Sequence, residues 1–188
     1  MDSQDISPPP NIKNLQCFAI AVVSSFLVVT GGHDFESIQG WSYLLHTNEE
    51  WKKLPNLNEP RMRHSSCSLD LTCYVFGGES NNRRYLNSLE WLRIPEDGQP
   101  VAQEWSSSIV YQAFEPRKFA LMAPAGEKTI LILGGAISGN RYLSDGMVIN
   151  FEGEVPRKES SINNHDMKYF FEFNNYCFTK DNTILVAT

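Results

Sequence analysis

The sequence predicts an all-β fold in which similar antiparallel sheet units follow one another along the chain. Three observations carry that expectation. A stretch from Glu59 to Trp91 has a near-copy from Glu115 to Ile149. Both open on Glu-Pro-Arg, pass through an apolar run ending in Gly-Gly, and reach Arg-Tyr-Leu six residues beyond the second glycine. The apolar runs are continuous rather than alternating, so both faces of each strand must be covered. No segment of useful length carries a helical period.

The same anchors recur upstream. Phe26–Thr30 runs into Gly31-Gly32, and Trp51 leads through Leu54-Pro55 to Pro60-Arg61 as Trp105 leads to Pro116-Arg117. The repeat divides the chain into a leader over 1–14, units over 15–58, 59–113 and 114–165, and a half unit over 166–188. The leader is polar with Pro8-Pro9-Pro10, and is expected to be disordered or extended. Cys17–Thr30 is the most apolar window. It lacks the positive flank of a signal peptide, since Asp2 and Asp5 precede it against Lys13 alone. It also falls short of the ~20 residues that span a bilayer. Ser24-Ser25 splits it into two strands joined by a short turn.

Within each unit the second strand is apolar at consecutive positions, as in Leu27–Val29, Tyr74–Phe76 and Ile130–Leu133. The pairs Gly31-Gly32, Gly77-Gly78 and Gly134-Gly135 follow, where a missing Cβ permits close backbone approach or positive φ. A polar loop of varied sequence leads to a third strand, expected over 41–46, 88–94 and 146–151. Trp51 and Trp105 mark a fourth strand, and 95–100 is a turn-rich insert in the second unit. In the third unit no Trp follows Phe151, and 152–164 reads as a polar loop with at most a short strand at Val155. The last segment restarts the pattern: Lys168 stands where Arg61 and Arg117 stand, and 183–187 matches 129–133.

With 41% apolar and 20% charged residues, the 188-residue chain has the make-up of an ordinary globular domain with one sizeable core. A net charge of −6 without any Lys/Arg run argues against nucleic acid or an anionic membrane as partner. Cys17, Cys67, Cys73 and Cys177 contain no Cys-x-x-Cys pair and read as reduced, packed thiols in a cytoplasmic setting. Cys67 and Cys73 fall on adjacent strands of one hairpin, where nothing requires a bond.

A strand ending in Gly-Gly, a Tyr further on (Tyr85, Tyr142), a later Trp (Trp51, Trp105) and a Pro-Arg opening the next unit (Arg61, Arg117) resemble the kelch repeat. The resemblance covers roughly 15–188 and is sharpest over 59–149. It implies four-stranded antiparallel blades of a β-propeller, here an arc of about three and a half blades that does not close on itself. Closed propellers have four to eight blades. Closure by self-association with a copy, or by a partner, is therefore expected. The resemblance also implies a non-catalytic scaffold or adaptor, with cytoskeletal or ubiquitin-ligase components among its protein partners. A fragment of a kelch-type propeller enzyme, oxidase or sugar epimerase, is the alternative, and a remnant without its own function is a third.

Arg61 and Arg117 recur at one repeat position and read as structural, their guanidinium groups bonding loop carbonyls of the next unit. Tyr85, Tyr142, Trp51 and Trp105 read as packing between units. The non-repeated loop residues are the binding candidates, because binding residues sit on variable loops over a rigid scaffold. His33, Asp34, Arg63, His64, Glu79, Asn81, Arg83, Lys118 and Asn140 are expected around one rim. There Arg63 and Arg83 would hold an acidic peptide. Catalytic and metal readings find little: His33, His46, His64 and His165 are scattered without paired ligands. Ser65-Ser66 beside His64 is no nucleophile elbow, Glu49-Glu50 flank Trp51 in a solvated turn, and no glycine pair precedes a helix as a phosphate loop would. No cofactor or metal is expected.

Overall fold

A computed structural model describes residues 9, 14–46, 51–109, 114–138, 141–151, 157–163, 176–178 and 184–186, with side chains up to Phe151, Ile109 excepted. The chain is all-β and forms several small antiparallel sheets. The first has four strands in sequence order, β1 (Ala19–Val23), β2 (Phe26–Thr30), β3 (Ser42–His46) and β4 (Lys52–Lys53). The second repeats that order with β5 (Ser65–Leu69), β6 (Thr72–Phe76), β7 (Ser88–Arg93) and β8 (Ser106–Ile109). In the third, β9 (Leu121–Pro124) and β10 (Thr129–Leu133) are followed by a two-stranded ribbon, β11 (Ala136–Ile137) and β12 (Arg141–Tyr142). The sheet then resumes with β13 (Asp145–Asn150) and β14 (Arg157–Asn163). β15 (Tyr176–Phe178) and β16 (Ile184–Val186) pair as a last hairpin. No helix among the described residues is long and apolar enough to cross a membrane.

β14 corrects the expectation of a loop over 152–164. It pairs with β13 from Asp145↔Asn163 to Asn150↔Arg157, with a register shift between Val148 and Ile149. Backbone pairing at a sheet edge does not require apolar side chains, so Arg-Lys-Glu-Ser-Ser forms a strand that reads as loop by composition. The third strands of the first and third units begin one residue away from the expected positions, at Ser42 and Asp145. The expected leader lies outside the described residues apart from Pro9 and Asn14, and Lys168 lies outside them too.

The continuous apolarity of the second strands has its physical cause in the stacking of sheets. Cys73, Val75, Leu92 and Ile94 of the second unit pack with Ala21, Val23, Phe26, Val28 and Leu44 of the first. The opposite face of the same sheet, with Cys67, Leu69, Tyr74, Phe76 and Leu89, packs on Met122, Ile130, Ile132, Met147 and Ile149 of the third. Burying each such side chain contributes roughly 1.5–3 kcal/mol. Period-2 alternation thus sends Cys67 and Cys73 to opposite faces, and both are free thiols. Their proximity along the hairpin cannot become a disulfide.

Turns and inserts complete the packing. Ser24 and Asp70 take the same left-handed conformation (φ 54° and 51°) in the hairpin turns of the first two sheets. The insert over 95–100 lies against the first sheet, where Lys52 Nζ donates to the Gly98 carbonyl at 3.1 Å. Trp105 is buried and its Nε1 donates to the Pro55 carbonyl at 2.8 Å, which fastens the second unit to the first as expected of a packing residue. Tyr142, by contrast, is 51% exposed, although Tyr85 at the same repeat position is half-buried.

The glycine pairs show why the repeat needs them. The first glycine of each has φ near +60° and the second near +100°, Gly77 and Gly78 having +67° and +98°. A Cβ on Gly77 would stand 2.6 Å from the Arg117 carbonyl oxygen, a separation no side chain tolerates. That carbonyl accepts the Gly78 N–H at 2.8 Å, as the Arg61 carbonyl accepts the Gly32 N–H at 2.8 Å. Each Pro-Arg segment therefore lies on the glycine pair of the unit before it.

Candidate functional site

The repeated arginines explain the frame on which the rim is built. Arg61 and Arg117 are fully buried, and Nη1 of each donates at 2.9 Å to the carbonyl of the first glycine of its own unit's pair, Gly77 and Gly134. The expected bond to the next unit is thus corrected. The guanidinium acts inside its unit, and the arginine backbone makes the contact to the preceding one. Charge is compensated locally: Arg61 pairs with buried Glu90, and Arg117 grips Asp145 at 2.7 and 3.0 Å while stacking 3.6 Å from the Phe114 ring centroid. Burial lowers the Arg61 pKa and Glu90 opposes that shift. The acids of the two Glu-Pro-Arg anchors pair outside, Glu59 with Arg84 and Glu115 with Arg141.

Loops after the glycine pairs and loops around the Pro-Arg segments meet at one end. Backbone bridges join Gln16 to His33, Met62 to Glu79 and Lys118 to Ala136. Just beyond each bridge stands a non-glycine residue in the left-handed region: Cys17 (φ 56°), Arg63 (57°) and Phe119 (58°). Arg63 N–H donates to the Cys17 carbonyl and Phe119 N–H to the Arg63 carbonyl, both at 2.9 Å. Three consecutive units are thereby stitched together through one strained position.

Around this stitch the structure gathers three of the expected rim residues. Glu79 Oε2 accepts from Arg63 Nη1 at 2.9 Å and from Lys118 Nζ at 3.3 Å. Both cations also lie 5.6 Å from the Phe119 ring centroid, and the Lys118 ammonium lies 4.9 Å from that of Tyr85. Two cations thus share a single carboxylate that is 9% exposed, while the Arg63 side chain is 33% exposed. Among the described residues the Arg63 guanidinium makes one hydrogen bond, to Glu79. Two cations against one carboxylate leave the cluster with a net positive charge, and a half-exposed guanidinium has the chemistry to pair with a carboxylate.

The remaining candidates have other tasks. Asp34 accepts from the Glu36 and Ser37 N–H groups at 2.9 and 2.8 Å and from Gln39 Nε2 at 2.7 Å. These bonds, that from Ser37 foremost, hold its carboxyl below the usual range. Asn81 clamps the first loop to the second, accepting from Ile38 N–H at 3.0 Å and donating to Ile38 O at 3.3 Å. His33 is half-buried in its bridge, and Arg83 is exposed and left-handed (φ 56°) without joining Arg63. Lys118 is the companion Arg63 has. His64 departs from the rim altogether: it is 7% exposed, its Nε2 lies 3.0 Å from Thr30 Oγ1, and its Nδ1 is buried without a partner. Asn140 and His165 lie outside the described residues.

Phe119, Tyr85 as a ring beneath Lys118, and Cys17 were not among the expected rim residues. The signal was present in the repeat: Cys17, Arg63 and Phe119 fall two residues beyond Leu15, Arg61 and Arg117, at one register position. No group of three or more His, Cys, Asp or Glu among the described residues is arranged to hold a metal ion. The chain matches no protein-family model and no curated protein.

Proposed function

We propose that this chain is a kelch-type propeller arc, its four-stranded sheets being the blades, that works as a non-catalytic polypeptide-binding module. Its rim, at the end where the glycine loops and Pro-Arg loops meet, is the binding surface. The supporting observation is the Arg63–Glu79–Lys118 cluster beside Phe119, which joins adjacent sheets and carries one more positive than negative group. The bound segment carries a carboxylate for Arg63 and Lys118 and an apolar neighbour for the Phe119 ring. A guanidinium with free donors recognises a carboxylate in a fixed geometry. Shared strand order and shared glycine geometry in the three sheets support the blade assignment.

Fluorescence anisotropy tests the reading with a labelled octapeptide of alternating Glu and Phe, against one of alternating Lys and Phe. Saturable binding of the acidic peptide, weakened at least tenfold by Arg63→Glu and by rising salt, is expected. Equal binding of both peptides, or an unaffected Arg63→Glu variant, refutes it.

A further inference from the structure

Between the bridge residues His33 and Ile38 the first glycine loop makes a tight turn, and its tip presents Phe35 and Glu36 to solvent. Phe35 is 73% exposed, more than any other large apolar side chain among the described residues. The backbone beneath it is fixed. Asp34 N–H donates to the Ser37 carbonyl at 3.2 Å, and the Asp34 carboxylate takes the Glu36 and Ser37 N–H groups. Gln39 Nε2 reaches Asp34 Oδ2 at 2.7 Å and Ser37 Oγ at 2.8 Å, and Asn81 of the second unit holds the flank at Ile38. A turn held by so many polar bonds needs no phenyl group for its own stability. The corresponding tip of the second unit is polar, Asn81-Asn82-Arg83. An aromatic displayed beside a carboxylate on a backbone ordered in advance has the form of an interface anchor.

The counterpart stands on the same rim. Asn81, which clamps the turn, belongs to the loop that opens at Glu79, so the tip and the Arg63–Glu79–Lys118 cluster lie at one end of the molecule. There Phe119 is 37% exposed beside two cations that share one carboxylate. An aromatic next to an acid at the tip thus matches an aromatic next to a surplus cation at the cluster. Within one chain the two stay apart, since the Phe35 ring lies in solvent and the Arg63 guanidinium bonds to Glu79.

We propose that Phe35 and Glu36 of one copy dock on the Arg63–Lys118–Phe119 cluster of a second copy, Phe35 against the Phe119 ring and Glu36 on the Arg63 guanidinium. The proposal rests on the reading of the rim as a polypeptide-binding surface and names its ligand, a second copy of this chain. Because tip and cluster share one end, two rims face each other across a twofold axis and both contacts form at once. Such an interface is isologous and closes at two chains. The ring pair and the charge-assisted bond fix its register.

Light scattering behind size exclusion tests it on the full chain at 50 µM. The parent should run at twice 21.4 kDa, and Phe35→Ser at the mass of one chain with unchanged circular dichroism. Glu36→Arg and Arg63→Glu should each run as single chains alone and as a pair when mixed, because each variant then offers the charge that the other lacks. A single-chain mass for the parent, a pair that survives both Phe35→Ser and Glu36→Arg, or a mixture that stays single overturns the proposal. The acidic octapeptide separates this failure from that of the rim reading. Saturable, Arg63-dependent binding of the peptide by a parent chain that stays single sinks the self-pairing alone. A parent that pairs as expected, with a Phe35→Ser variant that leaves the peptide unbound, supports the self-pairing and sinks only the general peptide reading.

Discussion

Acid should loosen the seam between the first two sheets through His64. The ring is sealed behind Gly31, where a Cβ would stand 2.6 Å from His64 Cε1, and its Nδ1 is buried without a partner. Burial first, and the Arg61 charge second, push its pKa down from 6.5 to about 3, against a smaller opposing effect of Thr30. The folded pKa lies below the unfolded one, so the unfolded chain binds the proton throughout that window. Stability from the neutral ring is complete above pH 6.5 and is lost as pH falls toward 3. With 1.36 kcal/mol per unit, the loss is about 1.4 kcal/mol at pH 5.5 and about 2.7 kcal/mol at pH 4.5. For a chain of this length that lowers Tm by roughly 5–11 °C at pH 4.5. Urea unfolding followed by circular dichroism at pH 7.5, 6.5, 5.5 and 4.5 measures it, with His64→Gln as reference. The glutamine keeps a polar partner for Thr30 but does not titrate, and all other groups cancel in the difference. The parent curve should fall away from the variant curve below pH 6.5; parallel curves would refute the reasoning.

Four further outcomes follow from the frame. Glu90→Ala leaves Arg61 buried and unpaired and should cost about 3–5 kcal/mol in chemical unfolding. Arg84→Ala, which removes an exposed pair with Glu59, should change stability by less than ~1 kcal/mol. Gly77→Ala should cost about 1–3 kcal/mol from positive φ alone, and more from the clash with the Arg117 carbonyl, read as a lowered urea midpoint. Cys17→Gly should raise Tm by a few degrees, because an exposed side chain is removed from a left-handed residue whose backbone bond to Arg63 stays.

How far the fold could be read depended on where each constraint sits. The second strands are buried on both faces, so Val75 and Ile132 announce themselves as apolar runs. The glycine pairs announce themselves because no other residue fits beneath a Pro-Arg carbonyl. β14 was illegible because an edge strand is held by backbone bonds that leave no compositional mark on Arg157–Asn163. His64 was misplaced for a different reason. Its position follows Arg63 by one residue, and a single step in an extended chain turns a side chain from the rim to the interior. The pairing of Arg63 with Lys118 rather than Arg83 depends on which sheet lies next to which, and no spacing within one unit encodes that.

The rim and the core are one construction seen from two sides. The backbone bond from Phe119 to Arg63, and from Arg63 to Cys17, repeats with the same φ and the same 2.9 Å length across three units. The side chains at that position are a phenyl, a guanidinium and a thiol. Glycine fits a left-handed site without strain, and the chain uses it at Gly31-Gly32, Gly77-Gly78 and Gly134-Gly135, while Ser24 and Asp70 hold the same conformation in hairpin turns. The varied side chains make physical sense when the frame fixes where a group is presented and the sequence chooses which group that is. The stacking that buries Ile132 and Val75 therefore sets the spacing between Arg63, Glu79 and Lys118, and a change that slides one sheet on the next should disturb the cluster before it unfolds the chain.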